Sequence, residues 1–155
     1  MRGLVQRVTR ASVEIVGPDD SISVAGAIGH GLCVLVGATH DDGEVEAVKL
    51  ADKIWHLRVL DDADGVMNRS LANRADDGEQ AEVLIVSQFT LYGNTDKGRR
   101  PSWIDAARPE HAEPLVDRVA AHLGDLGAAV ATGQFRTGML VEIVNDGPVT
   151  VMLEV

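Results

Sequence analysis

Ser87-Gln88-Phe89-Thr90 puts two hydroxyls and an amide into four residues, directly after the apolar run Val83-Leu84-Ile85-Val86. A strand that ends in such a segment can aim polar side chains, and N–H groups released from the sheet, into a pocket. The same residues can equally cap their own strand end, and spacing leaves both readings open. Asn145-Asp146-Gly147-Pro148 is a second polar cluster, set between two alternating apolar runs. X-Pro bonds are cis in about 5 to 6% of folded cases, so composition favours a trans turn. A cis bond there would expose two backbone carbonyls in an unusual direction. Lys97, Arg99 and Arg100 gather three of the fourteen Lys and Arg residues into four positions. In an acidic chain this loop is the best candidate for a phosphate contact, the alternative being a solvated surface loop.

The familiar catalytic arrangements are missing. Histidines 30, 40, 56, 111 and 122 show no H-E-x-x-H pair or other metal-ligand spacing. There is no G-x-S-x-G elbow and no phosphate-binding glycine loop, and Gly26-Ala27-Ile28-Gly29-His30-Gly31 reads as tight turns between strands. Cys33 is the one cysteine and lies in the run Leu32-Cys33-Val34-Leu35-Val36, which makes it a core residue and excludes a disulfide framework or a cysteine zinc cluster. Asp61-Asp62-Ala63-Asp64-Gly65 lacks the distal Glu of a calcium loop and reads as an acidic turn. The sequence implies no metal and no cofactor.

These segments need a scaffold, and 155 residues suffice for one domain spanning 1–155. With 45% apolar and 25% charged residues the chain can bury a core. A net charge of −10 opposes binding to long duplex DNA or an anionic membrane, so neither DNA nor membrane is an expected partner. No apolar run reaches the roughly 18 residues of a membrane span, no secretory signal stands at the start, and a cytoplasmic location is the expectation. Leu4–Thr9 and Ser12–Val16 read as strands able to pair with each other, followed by strands at 22–24 and 32–36. Asp41 and Glu44 resemble a capping box for an amphipathic helix through Ala47, Leu50, Ala51, Ile54 and Leu57. Residues 73–80 read as a polar loop and 82–86 as a buried strand. A second helix reaches about Leu126, its regular part starting near Glu113 because an interior Pro114 removes a backbone bond. Two alternating strands close the chain.

Four stretches taken in order resemble the D-aminoacyl-tRNA deacylases: Val5-Gln6-Arg7-Val8-Thr9-Arg10-Ala11-Ser12-Val13, Ser87-Gln88-Phe89-Thr90-Leu91-Tyr92-Gly93, Gly98-Arg99-Arg100-Pro101-Ser102 and Asn145-Asp146-Gly147-Pro148-Val149-Thr150. The resemblance runs from end to end. It implies an α+β fold, with curved antiparallel and mixed β-sheets in a barrel-like sandwich and about two packed helices. It also implies a homodimer with shared active sites that hydrolyses the ester between a D-amino acid, or glycine, and the 3′ end of tRNA. By this resemblance Ser87, Gln88, Phe89 and Thr90 are the catalytic segment. Gly147-Pro148 is a cis pair that enters the other subunit's pocket and excludes L side chains, and Arg7 orients it. Phe135 and Met139 fit the pattern around the terminal adenine, although both can instead be core. Lys97, Arg99 and Arg100, the candidates read from charge, are the residues expected to meet the RNA end if the loop is not merely solvated.

No histidine or lysine in a matching motif is available as a base for Thr90, and a hydroxyl alone is weak near neutral pH. The resemblance therefore implies that the 2′-hydroxyl of the terminal ribose helps a water attack, with the N–H groups of Phe89 and Thr90 stabilising the oxyanion. Trp103 where the family often has Phe, a lengthened 73–80 loop and Pro114 depart from the family pattern. A non-catalytic dimer that binds tRNA ends and a general serine or threonine esterase are the two rivals, the second requiring a base that the sequence lacks.

Overall fold

In the computed structural model, which describes residues 1–155, the strands and helices follow in the order β1 (Arg2–Val16), β2 (Ile22–Ile28), β3 (Gly31–Gly37), α1 (Glu44–Trp55), β4 (Leu60–Asp61), β5 (Met67–Arg69), α2 (Leu71–Asp76), β6 (Glu82–Ser87), a 3-10 turn (Phe89–Tyr92), α3 (Pro109–Asp125), β7 (Ala129–Thr132) and β8 (Met139–Glu154). Six strands form one mixed sheet in the order β2-β1-β3-β6-β7, with β8 on the other edge of β1. The sheet curls until β2 approaches β7. At that seam a Cβ on Gly26 would stand 2.8 Å from the Thr132 carbonyl oxygen, so Gly26 serves close approach and not a turn. The result is a nearly closed barrel. β4 and β5 make a separate small hairpin around the acidic turn, where Asp62 Oδ1 accepts from the Asp64 and Val66 N–H groups.

Alternation along the strands divides the core in two. Leu32, Val34 and Val36 of β3, with Val83 and Ile85 of β6, face α1 and α3 in the larger cluster. Cys33, Leu84 and Val86 point the other way, to Val8, Ala11, Val13 and Ile28 inside the curled sheet. Both clusters are built almost wholly from aliphatic side chains, as the composition demands.

Several elements differ from the sequence expectation. Residues 2–16 form one strand and not a hairpin, because no turn residue separates Thr9 from Ser12. β1 pairs through its first half with β3, through its second with β2, and along both with β8. The N-cap of α1 is Gly43, whose N–H is accepted by Glu46 Oε2 at 3.0 Å; Asp42 is buried and accepts from the Met1 ammonium at 2.6 Å. Residues 71–76 are helical, so the helix takes the first four residues of the polar loop expected over 73–80. Ser70 caps that short helix by accepting from Asn73 N, and only Leu71 is buried, too little periodicity to read from sequence. The fold thus carries three α-helices, the short α2 standing beside the two long ones.

α3 runs unbroken from Pro109 through Pro114. Pro114 lies on the exposed face, where water can satisfy the Glu110 carbonyl left without its N–H partner. β7, also unanticipated, is a four-residue parallel neighbour of β6. β8 runs through the polar cluster as a single bulged strand: Gln6 pairs with Thr150 and Val8 with Asn145, so Arg7 alone faces residues 146–149.

Candidate active site

β3 and β6 are parallel neighbours and end together, Val36 opposite Ser87. The chain then turns outward, held by the Gln88 N–H donating to the Val36 carbonyl at 2.7 Å. Between this sheet end, the start of α3 and the turn after β7 lies a cleft of about 550 Å³. Ser87, Gln88, Phe89 and Phe135 line it, with Trp103 and the apolar side of α3 (Ala112, Val116) completing the walls. Phe89 meets Trp103 edge to face at 5.3 Å between ring centres, so one side is a two-ring aromatic wall. The large residue at 103 thereby contributes to the pocket.

The 3-10 turn begins at Phe89. Its first backbone bond is made by the Leu91 N–H, to the Gln88 carbonyl at 3.3 Å, so the N–H groups of Phe89 and Thr90 precede the turn's ladder. Gln88 Nε2 donates to Thr90 Oγ1, which fixes the amide relative to the hydroxyl. The cleft contains no His, Lys, Asp or Glu. His111 is engaged with the Asp42 carbonyl at 2.8 Å and His40 with the Ile104 carbonyl at 2.7 Å. Ser87 and Thr90 have no side-chain base within this chain's cleft. A simple Ser or Thr esterase lacks the group it would need.

The Asn145–Pro148 segment lies elsewhere. Arg7, 7% exposed, sends Nη1 to the Val59 carbonyl at 3.1 Å and to Asp61 Oδ1 at 2.6 Å. Its Nε donates to the Asp146 carbonyl at 3.3 Å and lies 3.1 Å from Asp146 Oδ2. Asn145 Nδ2 donates to the carbonyls of Arg7 and Val149, each at 3.0 Å, closing the bulge from both sides. The Gly147-Pro148 peptide is cis, Gly147 has φ +135°, and both residues are exposed. The buried Arg7 and the half-buried Asn145 thus clamp an exposed tip, which does not line its own chain's cleft.

The family model described as D-Tyr-tRNA(Tyr) deacylase matches residues 4–154. The chain belongs to the D-aminoacyl-tRNA deacylase family. It is 54% identical to the D-aminoacyl-tRNA deacylase of Heliobacterium modesticaldum over 154 residues, covering 99% of this chain and 96% of the relative. It is 55% identical to that of Mycolicibacterium gilvum, covering 99% of both. Among solved structures, one titled c-Myc DNA Unwinding Element Binding Protein superposes with a TM-score of 0.87 at 36% identity, covering 100% of this chain and 99% of the other. A probable eukaryotic D-amino acid tRNA deacylase shares the fold at TM-score 0.73 and 18% identity, covering 99% and 98% of the two chains.

Within this deacylase fold the structure brings together Ser87, Gln88, Phe89 and Phe135 at one cleft, with Thr90 one residue beyond the lining. Met139 lies outside it, its sulfur stacked on Gly133 among the smaller core cluster. Lys97, Arg99 and Arg100 sit on an exposed loop, 94–102, closed at its base by paired backbone bonds between Asn94 and Ser102 and also outside the cleft. Sequence reading missed Asp61, which anchors Arg7, and the cleft residues Arg108 and Arg136. Asp61 carried no signal, because its role depends on a hairpin distant in sequence. The two arginines stand singly in the sequence, without the clustering that marks Lys97, Arg99 and Arg100.

Proposed function

We propose that this chain hydrolyses the ester between a D-amino acid, or glycine, and the 3′-terminal ribose of tRNA, acting as a chiral proofreader in the cytoplasm. The observation that carries this reading is a polar Ser-Gln-Phe-Thr turn bordering an apolar cleft without any side-chain base. Aminoacyl esters are already activated, so positioning and charge stabilisation are the main demands on the protein. The substrate's vicinal 2′-hydroxyl orients and activates water, and the N–H groups of Phe89 and Thr90 receive the developing oxyanion, a contribution of about 2.7 to 4 kcal/mol per donor. Gln88 sets the orientation of the Thr90 hydroxyl, which positions substrate and does not attack. The aromatic wall of Phe89 and Trp103, together with Phe135, accepts the flat terminal base. Lys97, Arg99 and Arg100 on the adjoining loop meet RNA beyond that nucleotide, and Met139 packs against Gly133, two residues before Phe135.

The chain acts as a homodimer in this reading. The exposed tip Gly147-Pro148 of one subunit enters the cleft of the other, where its backbone leaves room for a hydrogen or a D side chain and collides with an L side chain. Support comes from a tip that is clamped by Arg7 yet unused by its own cleft. The strand carrying the tip also exposes Leu140 and Met152, a face suited to a second copy. The test compares release of D-tyrosine and L-tyrosine from tyrosyl-tRNA by purified protein in the presence of a chelator. Release from the D ester alone is the expected result; equal release from both removes the chiral reading, and release from neither favours a binding module.

A further inference from the structure

Arg108 and Arg136 are the only charged side chains that line the cleft, in a chain whose acids outnumber its Lys and Arg by 24 to 14. They arrive from different elements. Arg108 is the N-cap residue of α3, and Arg136 lies in the turn between β7 and β8. Neither guanidinium is committed to the fold: Arg108 makes no ion pair or hydrogen bond through its side chain, and Arg136 has one distant neighbour, Glu110 Oε1 at 3.7 Å, with 65% of its side chain exposed. The backbone at Arg136 has φ +59°, a left-handed conformation that a non-glycine residue adopts at a cost, while the Thr137 hydroxyl closes the turn on the Gln134 carbonyl at 2.9 Å. Phe135, immediately before it, faces the same cleft.

An apolar cleft with two guanidiniums, one without a partner and one held only by an exposed ion pair to Glu110, suits a ligand with a flat apolar body and one anionic group, and guanidiniums are the side chains best shaped to hold a phosphate from two sides. We propose that Arg108 and Arg136 together hold the 5′-phosphate of the terminal nucleotide while its base lies against Phe135 and the Phe89–Trp103 wall. This rests on the tRNA-end reading above and assigns the phosphate contact within the cleft to residues other than the Lys97–Arg100 loop. The pair acts on binding and takes no part in bond breaking.

The first test measures adenosine 5′-monophosphate and adenosine binding by calorimetry at low salt, with wild type, Arg108→Ala and Arg136→Gly. Glycine accepts φ +59° readily, so a loss of affinity in Arg136→Gly does not arise from misfolding. The expected result is tighter binding of the monophosphate than of adenosine, with that preference falling about five- to ten-fold in each variant. The second test compares kcat/KM for D-tyrosyl-tRNA with that for the phosphate-free D-tyrosyl-adenosine ester. Wild-type preference for the tRNA should fall in both variants through KM. For the double variant, the slope of log affinity for tRNA against log salt should weaken by about 0.7, the value for one phosphate of a single strand.

Equal losses on both substrates, or a monophosphate preference that survives in the double variant, overturns the proposal. Hydrolysis of D esters without any monophosphate preference overturns it too, leaving the deacylase reading intact. An arginine-dependent monophosphate preference without D-ester hydrolysis sustains the phosphate site and removes the hydrolytic reading.

Discussion

Replacing Arg7 by Met keeps the length and much of the apolar stem and deletes the charge that clamps the Asp146 bulge. In the native fold the guanidinium donates to two carbonyls, Val59 and Asp146, and pairs with the carboxylates of Asp61 and Asp146, whose side chains are 45% and 34% exposed. Charged hydrogen bonds to the carbonyls contribute about 1.5 kcal/mol each. The two ion pairs, to carboxylates that water can reach, contribute about 0.5 kcal/mol each. Rehydration of Asp61 and Asp146 in the variant returns part of that sum, whereas the Val59 carbonyl remains without its donor.

The net loss comes to about 3 to 4 kcal/mol, a large share of the roughly 5 to 15 kcal/mol that holds a typical domain together. At about 2 to 4 °C per kcal/mol for a chain of this size, the midpoint of thermal unfolding should fall by roughly 10 °C in scanning calorimetry at pH 7. Asp61→Asn, which keeps a hydrogen-bond acceptor for Nη1, should lose only about 0.5 kcal/mol. An Arg7→Met midpoint within roughly 3 °C of wild type would refute the reasoning, because the guanidinium would then hold nothing that water does not hold as well.

A Cβ at Gly31 would collide with the Glu82 carbonyl oxygen, so Gly31→Ala must separate β3 from β6 and should lower stability by about 2 to 3 kcal/mol in denaturant titration; a neutral result would contradict the register. Burial pushes the Cys33 thiol up to about 11, so the native protein should resist a thiol reagent at pH 8 and react at once when unfolded. The Gly43 N–H bond holds the Glu46 carboxyl below its ordinary 4.5. Its contribution is therefore complete above that value and is lost as pH falls through the lower folded value, so Glu46→Gln should flatten the acid limb of stability below pH 4.5 and leave its neutral plateau nearly level.

The strand segments were readable because each apolar run fixes a face: Leu32–Val36 and Val83–Val86 alternate between the two clusters as their spacing requires. Pairing was less accessible. β1 has a partner on each edge, and nothing local in Leu4–Val16 says that the last strand supplies one of them. α2 escaped notice because one leucine and a serine cap carry it, and α3 was shortened because Pro114 argues against a helix unless its face is known to be exposed. Of the signature segments, Ser87, Gln88 and Phe89 do border one cleft, and the structure supplied what spacing could not, the aromatic walls of that cleft and its two arginines. Arg7 was legible as an oriented partner of the Gly147 tip; its anchors, Asp61 and the Val59 carbonyl, emerge only when the hairpin folds beside β1.

The pairing of β1 with β8, from Arg2 opposite Glu154 to Ile15 opposite Met139, joins the first strand of this domain to its last. During synthesis β2 and β3 can close one edge of β1 early, yet the other edge keeps a row of unpaired amides and carbonyls until the C-terminal residues emerge. Arg7 faces the same interval, since Asp146 reaches it only with β8. The Gly147-Pro148 tip and the barrel are therefore completed in one late event, and until β8 emerges the nascent domain carries β1 with one open edge.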